Sequence, residues 1–409
     1  MRLGYSAAAC AVVLAASGPI SASELIEARM ARIEAHLAHM QNRLKQQDET
    51  IRAQQAIIAE QRATIEKATA RTDAIEARVA QPEPERADGS AWYERVAISG
   101  VVEVEAGTTS PYTGDRESDL TLATFELAVA AKITDLVSAG GSLLYEEGDT
   151  PLEVDTAWVT LGNSEEGPWS VTAGQIYVPF GVYETKLLSD PLTLELGETR
   201  ETAVQGGTVS GPFNAALYLF NGDNEHNGRN RIASWGVSGG FSQGDDDVGY
   251  SLGLGYISDL GDSDSLQGVI ADYLGSNDTD RVGAWTASAA AQFGAFTVIG
   301  EYLTASESFE AAAVPWKAGG ARPSAWNIEA GYGFELMGRE ATVAVGYQGT
   351  REALALELPR QRLLTAVSVG VYDGTTLSFE WAHDTDYDTG DGGTGESANT
   401  LTAQLAVEF

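Results

Sequence analysis

The feature that most constrains this chain is a two-residue alternation of apolar and polar side chains that recurs along most of its length. Near the C-terminus Leu401, Ala403, Leu405, Val407 and Phe409 alternate with Thr402, Gln404, Ala406 and Glu408. Trp326, Ile328, Ala330, Tyr332 and Phe334 alternate with Asn327, Glu329, Gly331, Gly333 and Glu335, and Leu377, Phe379 and Trp381 with Ser378, Glu380 and Ala382. A period of two is that of a strand with unlike faces. In a soluble sandwich polar residues would not return to one sheltered face strand after strand. A barrel in a bilayer needs that arrangement, with apolar side chains against lipid and polar ones around a wet lumen. Sixteen such segments can be placed between residues 95 and 409. Their connections alternate too. Tight turns such as Thr134-Asp135, Gly211-Pro212 and Asp373-Gly374 follow the even segments, and longer stretches (107–118, 178–201, 258–282, 305–324, 386–397) follow the odd ones. Short turns on one rim and long loops on the other belong to outer-membrane barrels, and an even count returns both ends to the periplasm. Tyr145, Trp169, Tyr177, Trp235, Tyr256, Trp285, Tyr302, Trp326, Tyr347 and Trp381 fall near segment ends, where an aromatic girdle is expected.

The N-terminal part obeys other periods. Arg2 precedes an apolar run from Ala7 to Ala16, then Pro19 and the small residues Ser21, Ala22 and Ser23. That run is too short to span a bilayer, so residues 1–23 read as a secretory signal peptide. Cys10, the only cysteine, lies inside it, which leaves no thiol chemistry after cleavage. From Ile26 to Val79 one heptad frame persists, with Ile26, Ile33 and Met40 at d and Met30, Leu37 and Leu44 at a. Residues 24–80 therefore read as a periplasmic coiled coil about 80 Å long. Gln47, Gln54 and Gln61 occupy successive d layers, a weak seam that favours register over stability. A seam of this kind predicts an oligomer. Residues 81–92, with Pro82 and Pro84, form the linker, and 93–409 the barrel. The expected class is thus all-β: a 16-stranded antiparallel transmembrane β-barrel preceded by a long α-helical coiled coil.

Charge narrows the function. The net charge is −34, yet the coil carries nine acids and nine bases, so the excess belongs to the barrel part. Nucleic acid, which demands a basic face, is excluded as a partner. With lipid faces assigned by the alternation, Glu103, Glu105, Asp155, Glu301, Glu329 and Glu380 point into the lumen. Carboxylates lining a narrow pore concentrate cations and repel anions.

The connection at 178–201 is unlike the others, being part apolar and part acidic. Phe180, Gly181, Glu184, Lys186, Asp190, Glu195, Glu198 and Arg200 are its candidate selectivity residues. It either folds into the lumen as a constriction or lies over the rim as a cap. A second acidic stretch, Asp384, Asp386, Asp388 and Asp391, places carboxylates as a Ca²⁺ loop does, although it lacks the EF-hand glycine spacing and closing Glu. The alternative is an ordinary solvated loop. No other cofactor is indicated. The barrel part offers two histidines, His226 and His383, neither in a Ser/His pattern, so the chain is not expected to be an enzyme.

The run Gln175-Ile176-Tyr177-Val178-Pro179-Phe180-Gly181, the stretch Asp190 to Thr199, the run Phe220 to Asp223, the coiled-coil leader and the terminal Phe409 together resemble the LbtU-type siderophore porins. The resemblance implies an outer-membrane channel for ferric siderophores of the polycarboxylate kind, and a terminal Phe read by the barrel-assembly machinery. Similarity to trimeric porins implies a homotrimer, set in lipid and lipopolysaccharide. An anionic ferric complex would need a basic track, for which Lys186, Arg200, Arg229, Arg231, Arg281 and Arg322 are available; each could instead pair with neighbouring acids or lipopolysaccharide. Three functions stay open: a siderophore-permeable porin, a general cation-preferring porin, and a structural tether with an incidental pore.

Overall fold

The computed structural model describes residues 92–409 apart from 163–166, 227, 230 and 246. The expected signal peptide (1–23), the expected coiled coil (24–80) and residues 81–91 of the expected linker lie outside the described residues. Sixteen strands form one closed antiparallel barrel in which each pairs with its neighbours in sequence. The first half comprises β1 (Val96–Ser110), β2 (Glu117–Thr134), β3 (Val137–Tyr145), β4 (Glu153–Gly162), β5 (Ser170–Tyr177), β6 (Arg200–Ser210), β7 (Phe213–Phe220) and β8 (Ser234–Gly244). The second comprises β9 (Val248–Ile257), β10 (Ala284–Phe293), β11 (Phe296–Ala305), β12 (Ser324–Leu336), β13 (Arg339–Arg351), β14 (Gln361–Tyr372), β15 (Thr375–Thr385) and β16 (Ser397–Glu408). Closure comes from β1 against β16, in register from Val101↔Glu408 to Ser110↔Asn399. Phe409 completes the seam: its N–H donates to the Gly100 carbonyl at 3.1 Å and its own carbonyl accepts from Gly100 at 3.0 Å. With no free edge, every strand pairs on both sides, the condition for placing backbone in hydrocarbon.

The two faces separate as the alternation predicts. Leu254, Ile328 and Phe379 stand outward and are 67%, 58% and 52% exposed, while their neighbours Ile257, Glu329 and Glu380 are buried. At the loop rim Trp235, Tyr256 and Trp285 pack in tilted pairs across β8, β9 and β10 with ring centroids 5.3 and 4.6 Å apart, and Trp326 meets Tyr347 at 5.0 Å. At the turn rim Phe213, Phe241 and Tyr250 form a second set, and Phe296 meets Tyr332 at 4.6 Å. Two aromatic bands flanking an apolar belt suit two lipid–water interfaces.

Two expectations need correction. Residues 107–118 are mostly strand, since β1 and β2 stay paired out to Thr109↔Glu117 and leave a short loop at 111–116. Tyr177 does not join the girdle; its hydroxyl donates to Asp155 at 2.7 Å, inside the barrel. A register break in β3–β4, beside Gly141/Leu143, shifts the alternation within β4, so Asp155 faces inward, as expected, although Val159, four residues on, faces out.

The connection after β9 is also more than a loop, because it contains helix α2 (Asp264–Leu274); α1 (Leu192–Gly197) lies in the connection after β5. α2 follows from its sequence. Ser263 holds the N-cap position, Asp264 puts an acid in the first turn, and Leu266 and Ile270 share a buried face. Gly275 then ends it at φ 68°, a left-handed cap that glycine adopts without steric cost. The apolar core lies inside the barrel, where Leu192, Leu196, Leu266 and Ile270 pack on the inward Tyr218, Phe220, Ile257 and Leu303.

Candidate functional site

Irregular backbone inside a barrel must find partners for its N–H groups. The connection 178–199 meets that need on the inner wall. Glu301 on β11 accepts from the N–H groups of Val182 (2.9 Å) and Tyr183 (3.1 Å) and from the Thr193 hydroxyl (3.1 Å). Glu329 on β12 accepts from Lys186 N–H (2.6 Å) and Thr185 Oγ1 (2.8 Å). Glu380 on β15 accepts from Leu188 N–H (2.8 Å) and from the N–H and hydroxyl of Ser189. Gln348 on β13 accepts from Leu192 N–H at 3.0 Å. The wall residues used from β11 to β15 all lie on the face opposite Tyr302, Ile328, Val345 and Phe379, which are exposed. In a closed barrel that face is the lumen.

Apolar contacts seat the same segment. Phe180, Leu192 and Leu196 are buried in the core, and Leu187 packs on Ala344, Leu364 and Ala366. At Gly255 a Cβ would collide with the Phe180 carbonyl oxygen, which accepts from Thr286 Oγ1 at 2.6 Å, so glycine lets the loop lie flush. Phe180 is therefore a seating residue, and Gly181 leaves room for the Tyr183 ring, which a Cβ there would strike. Glu184 reaches down to a cavity of about 370 Å³ lined by Gln243, Tyr250 and Gln292 near the turn rim.

The acids expected to line the lumen thus divide. Glu301, Glu329 and Glu380 hold the loop rather than standing free. Asp155 accepts from Ser142 Oγ (2.9 Å), Tyr177 and Arg200 Nη1 (3.1 Å). Glu105 accepts from Gln404 at 2.9 Å, and Glu103 lies on the same side of β1, opposite the outward Val104. Across from them stands Asp190 on the loop. Its carboxyl is held above the ordinary range, first by desolvation and then by Glu146, Glu103 and Glu105, with Arg362 opposing them. Glu195 is raised by desolvation and next by Asp190.

Above this narrowing lies a cavity of about 770 Å³. Glu146, Asp149 and Glu153 line it from the β3–β4 side, Glu195, Glu198 and Glu201 from the loop and β6, and Asp223 and Asp264 from the outer connections. Among the described residues the one basic side chain in its lining is Arg200, tied to Glu153 at 2.6 Å and Asp155 at 3.1 Å. Glu198 is pushed up to about 7 by burial and then by Asp264, which burial itself raises to about 6.

The basic track does not assemble. Arg200 is held as above, Arg281 lies 3.8 Å from Asp259, and Arg322 donates to the Ala305 carbonyl at 2.9 Å. Arg229 and Arg231 are exposed in the connection after β7, and Lys186 extends past Gly331.

Nor does the suspected Ca²⁺ loop form. Asp384 binds Arg362 in a two-pronged pair (2.8 and 3.0 Å), Asp388 binds Arg360 (2.6 Å) and Asp391 binds Lys317 (2.7 Å). Asp386 accepts from Thr394 and from Tyr387 N–H. The strand ends at Thr385 and the chain turns at Thr389–Asp391, so the two-residue spacing no longer keeps these carboxylates on one face and each is drawn to a separate partner.

No family model matches the chain. It is 30% identical over 343 residues to a UPF0422 protein of Coxiella burnetii, covering 77% of this chain and 72% of that one. The chain belongs to the UPF0422 family. A UPF0422 protein of Legionella pneumophila (strain Philadelphia 1) is 30% identical over 355 residues, and the chain spans 66% of that relative's length. Among solved structures, the anion-selective porin from Comamonas acidovorans aligns with TM-score 0.55 and 14% identity, over 77% of this chain and 99% of the porin. The outer-membrane channel DcaP of Acinetobacter baumannii aligns with TM-score 0.52 and 14% identity, over 77% and 97%. OprB of Pseudomonas putida gives 0.55 and 10%, over 78% and 95%. The fold of this UPF0422 chain is therefore that of the outer-membrane porins.

Proposed function

We propose that this protein is a passive, cation-preferring porin of the Gram-negative outer membrane, with connection 178–199 as its constriction. The observation that carries the reading is that acids stand on both sides of the passage. Asp190 on the loop faces Glu103 and Glu105 on β1 and Glu146 in the β3–β4 connection, Glu195 stands near Asp190 and Asp149, and Arg362 opposite them is neutralised by Asp384. Fields of one sign add across a narrow lumen, so a cation entering replaces hydration with carboxylate oxygens while an anion meets repulsion throughout. The fold relative from Comamonas acidovorans is described as anion-selective; charge placement, not the barrel, decides the sign.

Resemblance to the LbtU-type porins supports a second reading, passage of ferric polycarboxylate siderophores. That cargo would have to cross the acidic cavity past arginines already engaged. One experiment addresses both: single-channel recording of purified protein under a KCl gradient, with ferric siderophore then added to one side. The expected reversal potential is that of a cation-preferring pore, and the preference fades as salt shortens the Debye length from about 30 Å at 0.01 M to about 3 Å at 1 M. Anion preference overturns the first reading; concentration-dependent block by ferric siderophore favours the second. A homotrimer, with coils joined in the periplasm, completes the proposal and is checked by native mass measurement.

A further inference from the structure

The connections after β7 and β9 meet outside the lipid belt around an unusual set of buried oxygens. Asp262 and Asp259 are 0% and 1% exposed, and Asn224 is 7% exposed. Asp262 accepts from Asn224 N–H (2.9 Å) and Ser234 Oγ (3.0 Å). Asp259 Oδ1 accepts from Gly261 N–H (3.1 Å) and Val282 N–H (3.4 Å), while its Oδ2 has Arg281 Nε at 3.8 Å, too long for a hydrogen bond. Two shut-in carboxylates thus share one loosely placed guanidinium.

A second observation is independent of that charge. Both side-chain amide atoms of Asn224 are buried without a protein partner, as are Ser263 Oγ and Thr279 Oγ1. Asn224 is aimed at the acidic turn, since a Cβ on Gly261 would strike its Nδ2 and would also lie 3.1 Å from Asp259 Oδ1. Thr279 is tied beside it, its N–H donating to the carbonyl of Glu225 at 3.2 Å. Buried polar side chains are nearly always paired, and each unpaired one costs about 1–3 kcal/mol. Three such side chains fall in these two connections, one of them aimed at two under-neutralised carboxylates, and they need a common explanation.

We propose that Asp259, Asp262 and Asn224 form a binding site for a hard divalent cation of the Ca²⁺ class, which ties the connections after β7 and β9 together. Carboxylate, amide and hydroxyl oxygens are the donors such an ion takes, in a flexible set of six to eight. Rotating the Asn224 amide presents Oδ1 instead of Nδ2 at no change in shape. Ser263 and Thr279 supply neutral oxygens, and the ion balances the charge that Arg281 leaves. Among the described residues no group of three or more His, Cys, Asp or Glu side chains is arranged to hold a metal. This site uses two carboxylates and completes its set with neutral oxygens. It does not depend on the selectivity of the pore.

The test is calorimetric titration of Ca²⁺ into chelator-stripped, full-length protein in detergent, with thermal unfolding in parallel. The expected result is one saturable site per chain, distinct from weak binding at the acidic surface, and a melting temperature that rises with Ca²⁺. Asp259→Asn should weaken that site by on the order of ten-fold or more, because affinity in oxygen sites follows ligand charge. Asn224→Ala should weaken it without altering charge, and serves if Asp259→Asn fails to fold. The exposed pair Asp245→Asn and Asp247→Asn should leave the site unchanged. Only weak, non-saturating Ca²⁺ binding, or a site unaffected by Asn224→Ala, would overturn the proposal, leaving these atoms as a hydrated pocket.

Discussion

Glu301, Glu329 and Glu380 sit at matching positions on separate strands, and each accepts backbone N–H groups from successive parts of one loop. Hydrogen bonds to a charged acceptor contribute about 1.5–3 kcal/mol apiece, so removing one charge should let the undocked loop become populated. Glu329→Gln and Glu380→Gln are expected to fold normally and to show flickering current and a higher mean conductance. Steady wild-type traces from both would mean that the pins do not position the loop. Gly255→Ala tests the same contact from the wall side; its Cβ meets the Phe180 carbonyl, and the expected outcome is displacement of residues 178–183, read as altered conductance or poorer folding yield. The raised acids of the cavity give a pH prediction. Glu198 at about 7 and Asp264 at about 6 gain charge as pH rises, so cation preference should climb between pH 5 and pH 8. For stability the sign is opposite. The folded state holds these protons more tightly than the unfolded chain, so their contribution is full below about pH 4 and is lost as pH passes through 6 to 7. A selectivity ratio flat across that range would remove Glu198 and Asp264 from the conduction path.

Connection 178–199 contributes no barrel strand, although it buries Phe180, Leu192 and Leu196 against the inner wall. Deleting residues 182–198 should leave a heat-modifiable barrel and raise single-channel conductance several-fold, because the obstruction goes and the wall stays. Unchanged conductance in a properly inserted mutant would instead favour a cap over the rim. The mixture of apolar and acidic residues in this segment was legible in the sequence, but α1 within it was not: six residues lie below the length at which helical periodicity stands out. α2 was missed for a different reason. The stretch Asp259 to Asp264 reads as polar loop, yet Leu266 and Ile270 keep helical spacing and could have signalled it. The acidic run at 384–391 drew attention by its density, whereas the acids most deeply enclosed in the connections are Asp259 and Asp262, which nothing local distinguishes.

At the scale of the molecule, the excess negative charge of the barrel part should make ion selectivity salt-dependent, the measurement set out above. The strand number, the alternation of turns with loops, the lipid face and the loop-rim aromatic band were legible in the sequence, whereas the turn-rim set of Phe213, Phe241 and Tyr250 was not picked out there. Each is a local property: a strand's two faces follow from the pleat, and a turn from the few residues that make it. What only the tertiary structure decided is where the inward charges find partners. Asp155, Glu301, Glu329 and Glu380 were recognisable as inward by alternation, but that they are occupied by Arg200 and by the loop's N–H groups depends on pairs more than forty residues apart. The same holds for the missing basic track and for the acids gathered around the cavity. Closing the sheet brings distant strands to face one another across a lumen, and the electrostatics there depend on distances the sequence does not encode locally.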